Sequence, residues 1–360
     1  MDVSAVDGRI EEFAEWGQHG GGPVGSWRFG WRRLSRDRWS VASLVVVAVI
    51  VLLALFGGAV VGHLVGHDGT RQFAYAANTN LRPVGPLTRI PAPAQPPIND
   101  YGLLGKPRPG TPTALLVFGA DGPLGRDELI RLLDGTRTSL EIGVGAMLVA
   151  LIIGLPLGTI AGYFGGLFDV AATQFTEAVM AFPLILFLLF ANRYLTHDIR
   201  SVYWGSVVPQ GVVGEIVLIG VFTSFYPMRL VRAQIAVLRS AEFVEAAHMI
   251  GASTWRILRR HLLSHLAPGL LVWGAVAVGT NMLAEVGLSF LGIGVQPDTP
   301  TLGNLLSVQW GTVFNPKTYD SENYTVWQTV FPLLTIVLVV FSLNRLSEGV
   351  RRVLDPETQR

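Results

Sequence analysis

Six stretches of this chain are long and apolar enough to cross a lipid bilayer, and this feature constrains its fold more than any other. A transmembrane helix needs roughly 20 mostly apolar residues, because the hydrocarbon core offers no partners to exposed backbone groups. The stretches are residues 41–62, 142–168, 170–192, 212–231, 266–284 and 323–344. The first two contain no charged residue, and the third contains only Glu177. The pattern predicts an all-α membrane protein with six transmembrane helices.

The composition agrees with a membrane location and argues against other classes of protein. Charged residues make up 15% of the 360 residues, whereas a soluble domain carries about a quarter. The net charge of +1 provides no basic excess for a nucleic-acid partner. The chain has no cysteine, which excludes disulfides, thiolate metal sites and a cysteine nucleophile. A soluble multidomain enzyme does not fit this composition.

The distribution of Lys and Arg predicts the orientation of the spans. With both termini in the cytoplasm, the cytoplasmic segments and helix ends hold 16 of the 27 basic residues, as the positive-inside rule requires. The first span follows a polar tail, so we expect a permanent anchor and not a cleavable signal peptide. The predicted organisation is a cytoplasmic tail (1–40), the first transmembrane helix (41–65), a Pro-rich extracytoplasmic segment (66–137), a five-helix core (138–345) with a cytoplasmic loop at about 232–266, and a cytoplasmic tail (346–360).

Small residues recur at every fourth position of the second span, namely Ala146, Ala150, Gly154, Gly158, Gly162 and Gly166. This spacing places them on one helix face, where they let the backbone of a neighbouring helix approach closely. The four glycines are therefore the predicted helix-packing residues. Pro156 in the same span predicts a kink.

Two carboxylates, Glu177 and Glu285, lie in or beside the predicted spans, where an ionisable group is costly and usually faces the bundle interior or water. One interpretation is a proton relay. The other is a carboxylate that is hydrogen-bonded to a neighbouring helix near the interface. The second is favoured because neither glutamate has a Lys, Arg or His partner within its own span.

The cytoplasmic loop contains helical patterns on both sides of a glycine. The residues before Gly251 predict a short helix that ends with this glycine in the left-handed cap position. Ser253 is then placed to cap a second helix, which continues towards the fifth span. We call residues 241–256 the elbow. The alternative, an ordinary connecting loop, fits poorly with the length and the amphipathic pattern of the segment.

The sequence contains no recognisable site for catalysis or for a nucleotide. No GxxxxGK[ST], GxSxG or HExxH motif is present, so no catalytic residue and no ATP site is predicted in this chain. His261 and His265 stand four residues apart on one helix face, a spacing that could ligate a metal. No acidic third ligand is near and the surrounding arginines repel a cation, so we predict no metal site. These two residues and His248 are predicted to be surface or interface histidines.

The elbow carries the sequence EAAHMIG over residues 245–251, which resembles the EAA signature of permease subunits of bacterial binding-protein-dependent ABC importers. Residues 125–140, 288–304 and 354–356 resemble further stretches of the dipeptide/oligopeptide/nickel branch of these importers, and most of all its second permease. The resemblance covers the first span and nearly all of the chain after residue 120. It departs from the family at Ser264 and Ala120, where proline and threonine are usual.

The resemblance implies the type I ABC importer permease fold, as a multi-pass protein of a bacterial or archaeal cell (inner) membrane. It implies a complex of two different permeases, two cytoplasmic ATPases that use ATP and Mg²⁺, and an extracytoplasmic substrate-binding protein, with no cofactor bound by this chain. The elbow would be the coupling helix in a groove of one ATPase, and its coupling residues would be Glu242, Glu245, Ala246, Ala247, Gly251, Ala252 and Ser253.

The implied cargo is di- or oligopeptides. Nickel, an oligosaccharide or a peptide antibiotic are alternatives within the same family. A stand-alone secondary transporter is the alternative of another class, and it would need inverted repeats or an ion-coupled charge site.

Overall fold

The computed structural model describes residues 38–76, 83–93, 107, 109–122, 124–195, 211–296, 298–313 and 326–354. The helices of this part of the chain are α1 (Arg38–Val65), α2 (Glu128–Phe164), α3 (Gly166–Met180), α4 (Leu184–Leu195), α5 (Val212–Thr223), α6 (Phe225–Leu238), α7 (Glu242–Met249), α8 (Thr254–Phe290), α9 (Leu302–Val313) and α10 (Val326–Leu354). Its strands are β1 (Thr88–Pro91), β2 (Thr113–Leu116), β3 (Ala120–Asp121) and β4 (Arg126–Asp127). Of the predicted tails, residues 1–37 and 355–360 lie outside the described residues, whereas residues 38–40 belong to α1 and residues 346–354 to α10.

Five helical segments among the described residues are long and apolar enough to cross a membrane, namely α1, α2, α5 with α6, α8 and α10. α3 and α4 pass the same test only as a pair, and they are bent by 89° at the break between them. Counted as one broken span, this pair completes the six predicted crossings. The predicted all-α membrane fold is confirmed.

The second span differs at both ends from the stretch that the apolar pattern predicts. α2 begins at Glu128, because the Asp127 carboxylate caps it by accepting two backbone amide hydrogen bonds of the first turn (2.9 and 3.3 Å). The boundary predicted between the Pro-rich segment and the core therefore falls inside a continuous helix. α2 ends before Gly165, which has φ 67°, and Pro156 does not interrupt it. Apolarity detects the part of a helix that lies in lipid, so it does not include the polar first turns.

α2 lies at the centre of the bundle. On one side it packs with α4, α5 and α8 through a cluster of fully buried side chains that includes Ile142, Ala146, Leu188, Ile219 and Leu288. On the other side it meets α1, α8, α9 and α10 through a second buried cluster that includes Ile50, Leu132, Met282, Leu305 and Ile336. A change in the position of α2 would therefore alter its contacts with α1, α4, α5, α8, α9 and α10.

Three glycines of the predicted stripe bring α2 against the backbone of α6. A Cβ at Gly154, Gly158 or Gly162 would come closer than 3.0 Å to a backbone oxygen in or next to α6. At Gly162 that atom is the Arg232 carbonyl oxygen, at 2.6 Å. The prediction is wrong for Gly166, which is the first residue of α3, has φ 65° and would have no atom within 4 Å of a Cβ. It leaves the stripe because α2 ends two residues earlier.

A small cap of strands covers the end of the bundle at which α2 begins. β1 pairs with β2 and β3 pairs with β4, both antiparallel. Phe118 stacks on Phe331 of α10 at 4.2 Å between ring centroids, and the Gln328 side-chain amide donates to the Ala120 carbonyl. We call the described residues between 67 and 127 the cap, its side of the bundle the cap end, and the opposite side the elbow end. The cap is thus attached to α10 as well as to α2.

Candidate functional site

The elbow has the helix–glycine–helix form that the sequence predicts. α7 ends in a Schellman motif, in which the Gly251 amide donates to the His248 carbonyl (3.0 Å). The second bond of the motif runs from the Ala252 amide to the Ala247 carbonyl (3.0 Å). Gly251 has φ 79°, and a Cβ there would have no neighbour within 4 Å. The corner therefore needs glycine for its backbone conformation and not for lack of space.

Ser253 occupies the N-cap position of α8 with extended backbone (ψ 149°). Its side chain makes no capping hydrogen bond, in contrast to the expectation, and its carbonyl accepts the Ile257 amide (3.1 Å). α8 continues through a π-helical segment, Ile257–Leu262, into the fifth span. The second helix of the elbow is therefore the first part of a membrane-spanning helix and moves with it.

α7 is buried on one face and open on the other. Val244 (1% exposed) and Ala247 (7% exposed) belong to an apolar cluster with residues of α6 and α8. Of the other predicted coupling residues, Ala252 is half-buried, and the exposed ones are Glu242, Glu245, Ala246, Gly251 and Ser253. Ala247 thus faces its own chain and not a partner, because it lies three residues after Val244 on the same helix face.

The exposed surface of the elbow includes three large apolar side chains, which are not among the coupling residues predicted from the sequence. Met249, Ile250 and Trp255 are 83%, 85% and 70% exposed, and we call these three residues the elbow tip. Large apolar side chains that are this exposed on one short segment favour a contact with a protein or a membrane. The signal in the sequence is the pair of apolar residues directly before Gly251, where a helix that ended in water would carry polar ones.

The histidines of this region take part in packing. The His265 ring stacks on Phe243, with 5.2 Å between centroids and an interplanar angle of 12°. His248 Nε2 lies 3.1 Å from the Tyr163 hydroxyl. The side chain of His261 lies outside the described residues. In the part of the chain that the structure describes, no group of three or more His, Cys, Asp or Glu is placed to hold a metal ion.

Glu285 is the centre of a buried polar cluster near the cap end. Its carboxylate, fully buried, accepts hydrogen bonds from the hydroxyls of Ser139 on α2 (2.6 Å) and Ser289 on α8 (2.8 Å). The Ser139 oxygen in turn accepts the amide of Leu302, the first residue of α9 (3.1 Å). The carboxylate therefore joins three helices and lies near the positive end of the α9 dipole. This geometry favours the hydrogen-bonded carboxylate over the proton relay.

The two predicted intramembrane glutamates do not share a cluster. Glu177 is exposed on α3. The carboxylate that does lie near the Glu285 cluster is Glu215 on α5, which is 4% exposed. A Cβ at Gly294 would stand 2.6 Å from Glu215 Oε1 and closer still to Ser289 Oγ. Glu215 is not among the residues predicted from the sequence, because a position near the start of a span does not reveal which way a side chain faces.

Buried ion pairs hold the cap on α2. Asp121 pairs with Arg126 (2.9 Å) and with Arg131 of α2 (2.6 Å). His67 Nε2 lies 2.9 Å from the Asp127 carboxylate. All five side chains are 8% exposed or less. Replacement of either arginine would remove a partner of the buried Asp121 carboxylate, which is costly because a buried charge needs compensation.

The structure combines a bundle of helices long and apolar enough to cross a membrane with a helix–glycine–helix elbow, the form expected of a membrane permease. Residues 154–360 match the family described as "Binding-protein-dependent transport system inner membrane component". Residues 25–83 match the "N-terminal TM domain of oligopeptide transport permease C". The first match covers more than half of the chain, which therefore belongs to the inner-membrane permeases of binding-protein-dependent ABC importers, in their peptide/oligopeptide branch. The predicted resemblance is confirmed.

Individual relatives agree with the family match. The glutathione transport system permease protein GsiD of Pectobacterium atrosepticum is 28% identical over 331 residues, which are 92% of this chain and 91% of that protein. GsiD of Escherichia coli O157:H7 is 29% identical over 331 residues, 92% of this chain and 90% of that protein. Among solved structures, an inward-facing conformation of the MetNI methionine ABC transporter gives a TM-score of 0.44 at 22% identity, over 61% of this chain and 96% of that chain.

Proposed function

We propose that this chain is the permease subunit of an ATP-driven importer and forms part of the translocation path for di- and oligopeptides. The family supports the importer role, and the name of the GsiD relatives supports a peptide-like cargo, since glutathione is a tripeptide. The chain would work with a second permease, two cytoplasmic ATPases that use ATP and Mg²⁺, and an extracytoplasmic substrate-binding protein. It would catalyse no reaction itself.

The observation that carries the proposal is the elbow. Its corner is fixed by the Schellman motif, its exposed face carries Glu242 and Glu245, and its tip is apolar. An ATPase groove with apolar walls and basic side chains would complement this surface. The N-in, C-in orientation would place the elbow in the cytoplasm, where the ATPases are.

Movement of the elbow would couple ATP to transport. Closure of the ATPases around ATP would displace the elbow and switch the helices from an inward-facing to an outward-facing arrangement. Because coupling between two sites is reciprocal for binding free energies, docking of the binding protein at the cap end would in turn change nucleotide binding at the elbow end.

The elbow is tested by Gly251→Val. A β-branched residue in the left-handed region costs roughly 1–3 kcal/mol of strain, so the corner should open. We expect normal insertion of the chain into the membrane. When the tagged subunit is purified in mild detergent, little or no ATPase subunit should co-purify. Vesicles that contain the variant should no longer take up radiolabelled dialanine, trialanine or glutathione with ATP.

The matched control is Gly66→Val. Gly66 ends α1 at the cap end with φ 77° and open space around a Cβ, so the local strain is the same. This variant should keep its ATPases. Normal uptake by Gly251→Val would contradict the role of the elbow. ATP-driven uptake of nickel or an oligosaccharide, with no uptake of the three peptides, would contradict the proposed peptide cargo. Transport by the isolated chain without ATP would indicate a secondary transporter.

A further inference from the structure

The last turn of α2 contacts two places in this part of the chain: the end of α6, which leads into the elbow, and the last turn of the elbow helix α7. Just before α7, Arg239 Nη1 donates to the carbonyl oxygens of Gly162 (3.4 Å) and Tyr163 (3.3 Å). In the last turn of α7, His248 Nε2 is hydrogen-bonded to the Tyr163 hydroxyl (3.1 Å). Two neighbouring residues of α2 thus contact the residue that caps α6, three positions before α7, and the last turn of α7.

The chemistry of a helix end explains the first of these contacts. The last carbonyl groups of a helix have no partner within the helix and carry its negative dipole, so a cation there is favourable. The guanidinium has room because residue 165 is glycine: a Cβ at Gly165 would stand 3.0 Å from Arg239 Nη1, at a φ of 67° that favours glycine. The turn between α2 and α3 is therefore shaped around Arg239.

α2 is a suitable element to carry a displacement across the membrane. It is one helix of 37 residues, about 55 Å long at 1.5 Å per residue. The glycines at 154, 158 and 162 seat it directly on the α6 backbone. Towards its other end it carries Ser139, which binds Glu285, and Arg131, which binds the cap through Asp121.

We propose that Tyr163, Arg239 and His248 form a clamp through which movement of the elbow is transmitted to α2. They are positioning residues: they touch neither cargo nor nucleotide and act by making α7 and α2 move as one body. The inference rests on the proposed function and names the contacts that its coupling step would use. The apolar cluster beneath Val244 and Ala247 holds α7 to α6 and α8, and the Tyr163 ring packs against it. Removal of the Tyr163 hydroxyl alone keeps this packing, so it should spare folding and assembly.

The test follows the movement of α2 in the complete complex. Because the chain has no native cysteine, spin labels can be placed at Ile152→Cys on α2 and Leu338→Cys on α10, which are 71% and 50% exposed, with the partner subunits freed of cysteine. The distance between the labels is measured by pulsed electron–electron double resonance in two states of the complex, one without nucleotide and one trapped with ATP and vanadate. ATP hydrolysis is measured on the same samples.

We expect trapping to change the distance in the otherwise wild-type complex. In Tyr163→Phe, which removes one hydroxyl, the ratio of molecules with the trapped distance to molecules with the nucleotide-free distance should fall about fivefold, the effect of one typical hydrogen bond on a two-state equilibrium. Hydrolysis should stay within about twofold. Tyr163→Phe/His248→Ala should lose no more than the single variant, because both remove the same bond. The control Tyr194→Phe, on an exposed tyrosine of α4, should behave as wild type.

Three results would overturn the clamp: no distance change in the wild-type complex, an unchanged response in Tyr163→Phe, or loss of the ATPases from that variant, which would indicate a structural role. Failure of the proposed function is seen separately. In that case no ATPase subunits co-purify with the unsubstituted chain, and both the importer proposal and the clamp proposal are wrong.

Discussion

Single residues at the cap end show how this bundle tolerates a carboxylate inside the membrane. Glu285 accepts hydroxyl hydrogen bonds and is fully buried, whereas Glu177 is exposed on the surface of α3. From sequence the two are equivalent, since each is a lone acid in or beside an apolar stretch. The tertiary structure separates them, because Glu285 is buried and accepts the Ser139 hydroxyl from another helix, whereas Glu177 lies on the exposed surface of α3.

This difference predicts unequal costs of substitution. Glu285→Ala leaves the hydroxyls of Ser139 and Ser289 without their buried acceptor, which should cost roughly 1–3 kcal/mol of unfolding free energy. Glu177→Ala should cost less than about 0.5 kcal/mol, as is usual for exposed sites. Thermal unfolding of both purified variants in the same detergent measures the difference. Equal shifts in the midpoint would show that the buried cluster contributes nothing particular.

The elbow residues also divide into those whose structure follows from the local sequence and those whose structure depends on the packing of helices. The left-handed corner at Gly251 follows from local sequence, because a helix end and a glycine are enough to define it. The burial of Ala247 and the missing side-chain bond of Ser253 do not follow, since both depend on how α7 lies on α6 and α8. Nothing in the sequence identifies Arg239 as a clamp residue, because its partners are backbone carbonyl oxygens, which every residue has.

Among the elements, α2 carries the clearest relation between spacing and packing. The prediction of a bare face holds over the three glycines that face α6 and fails at Gly166, where the helix has already ended. Periodicity identifies the face of a helix, but a cap identifies its end. At the other end, Asp127 begins the helix within a polar stretch that the apolar count assigns to the preceding segment.

Gly158→Ala tests the close contact between α2 and α6. A Cβ at this position would collide with the Met228 carbonyl oxygen, so the two backbones must separate, at a cost of roughly 1–3 kcal/mol. The matched control is Gly274→Ala on α8, where the nearest atom to a Cβ would be Met147 Sδ at 3.7 Å. That variant should be neutral or gain up to about 1 kcal/mol from helix propensity. Equal stability of the two variants in thermal unfolding would contradict the close packing.

At the scale of the whole molecule, the orientation of the bundle is open to direct measurement. The N-in, C-in arrangement places the cap outside and the end of α10 in the cytoplasm. In this cysteine-free chain, Leu124→Cys on the cap should react with a membrane-impermeant maleimide on intact cells or spheroplasts. Arg352→Cys should react only after permeabilisation. The reverse pattern would place the elbow outside the cell and remove the basis of the coupling proposal.

The sequence by itself determines which segments are long and apolar enough to cross the membrane and where the glycine corner lies. Both depend on local properties: a run of apolar residues must satisfy its own backbone as a helix in lipid, and a left-handed cap needs glycine. Only the tertiary structure decides that Glu285 meets Ser139, 146 residues away, that the Gly158 face meets α6, and that Tyr163 meets the elbow. These contacts depend on the rotation of each helix about its axis, and apolarity alone does not fix that rotation when almost every face of a span is apolar.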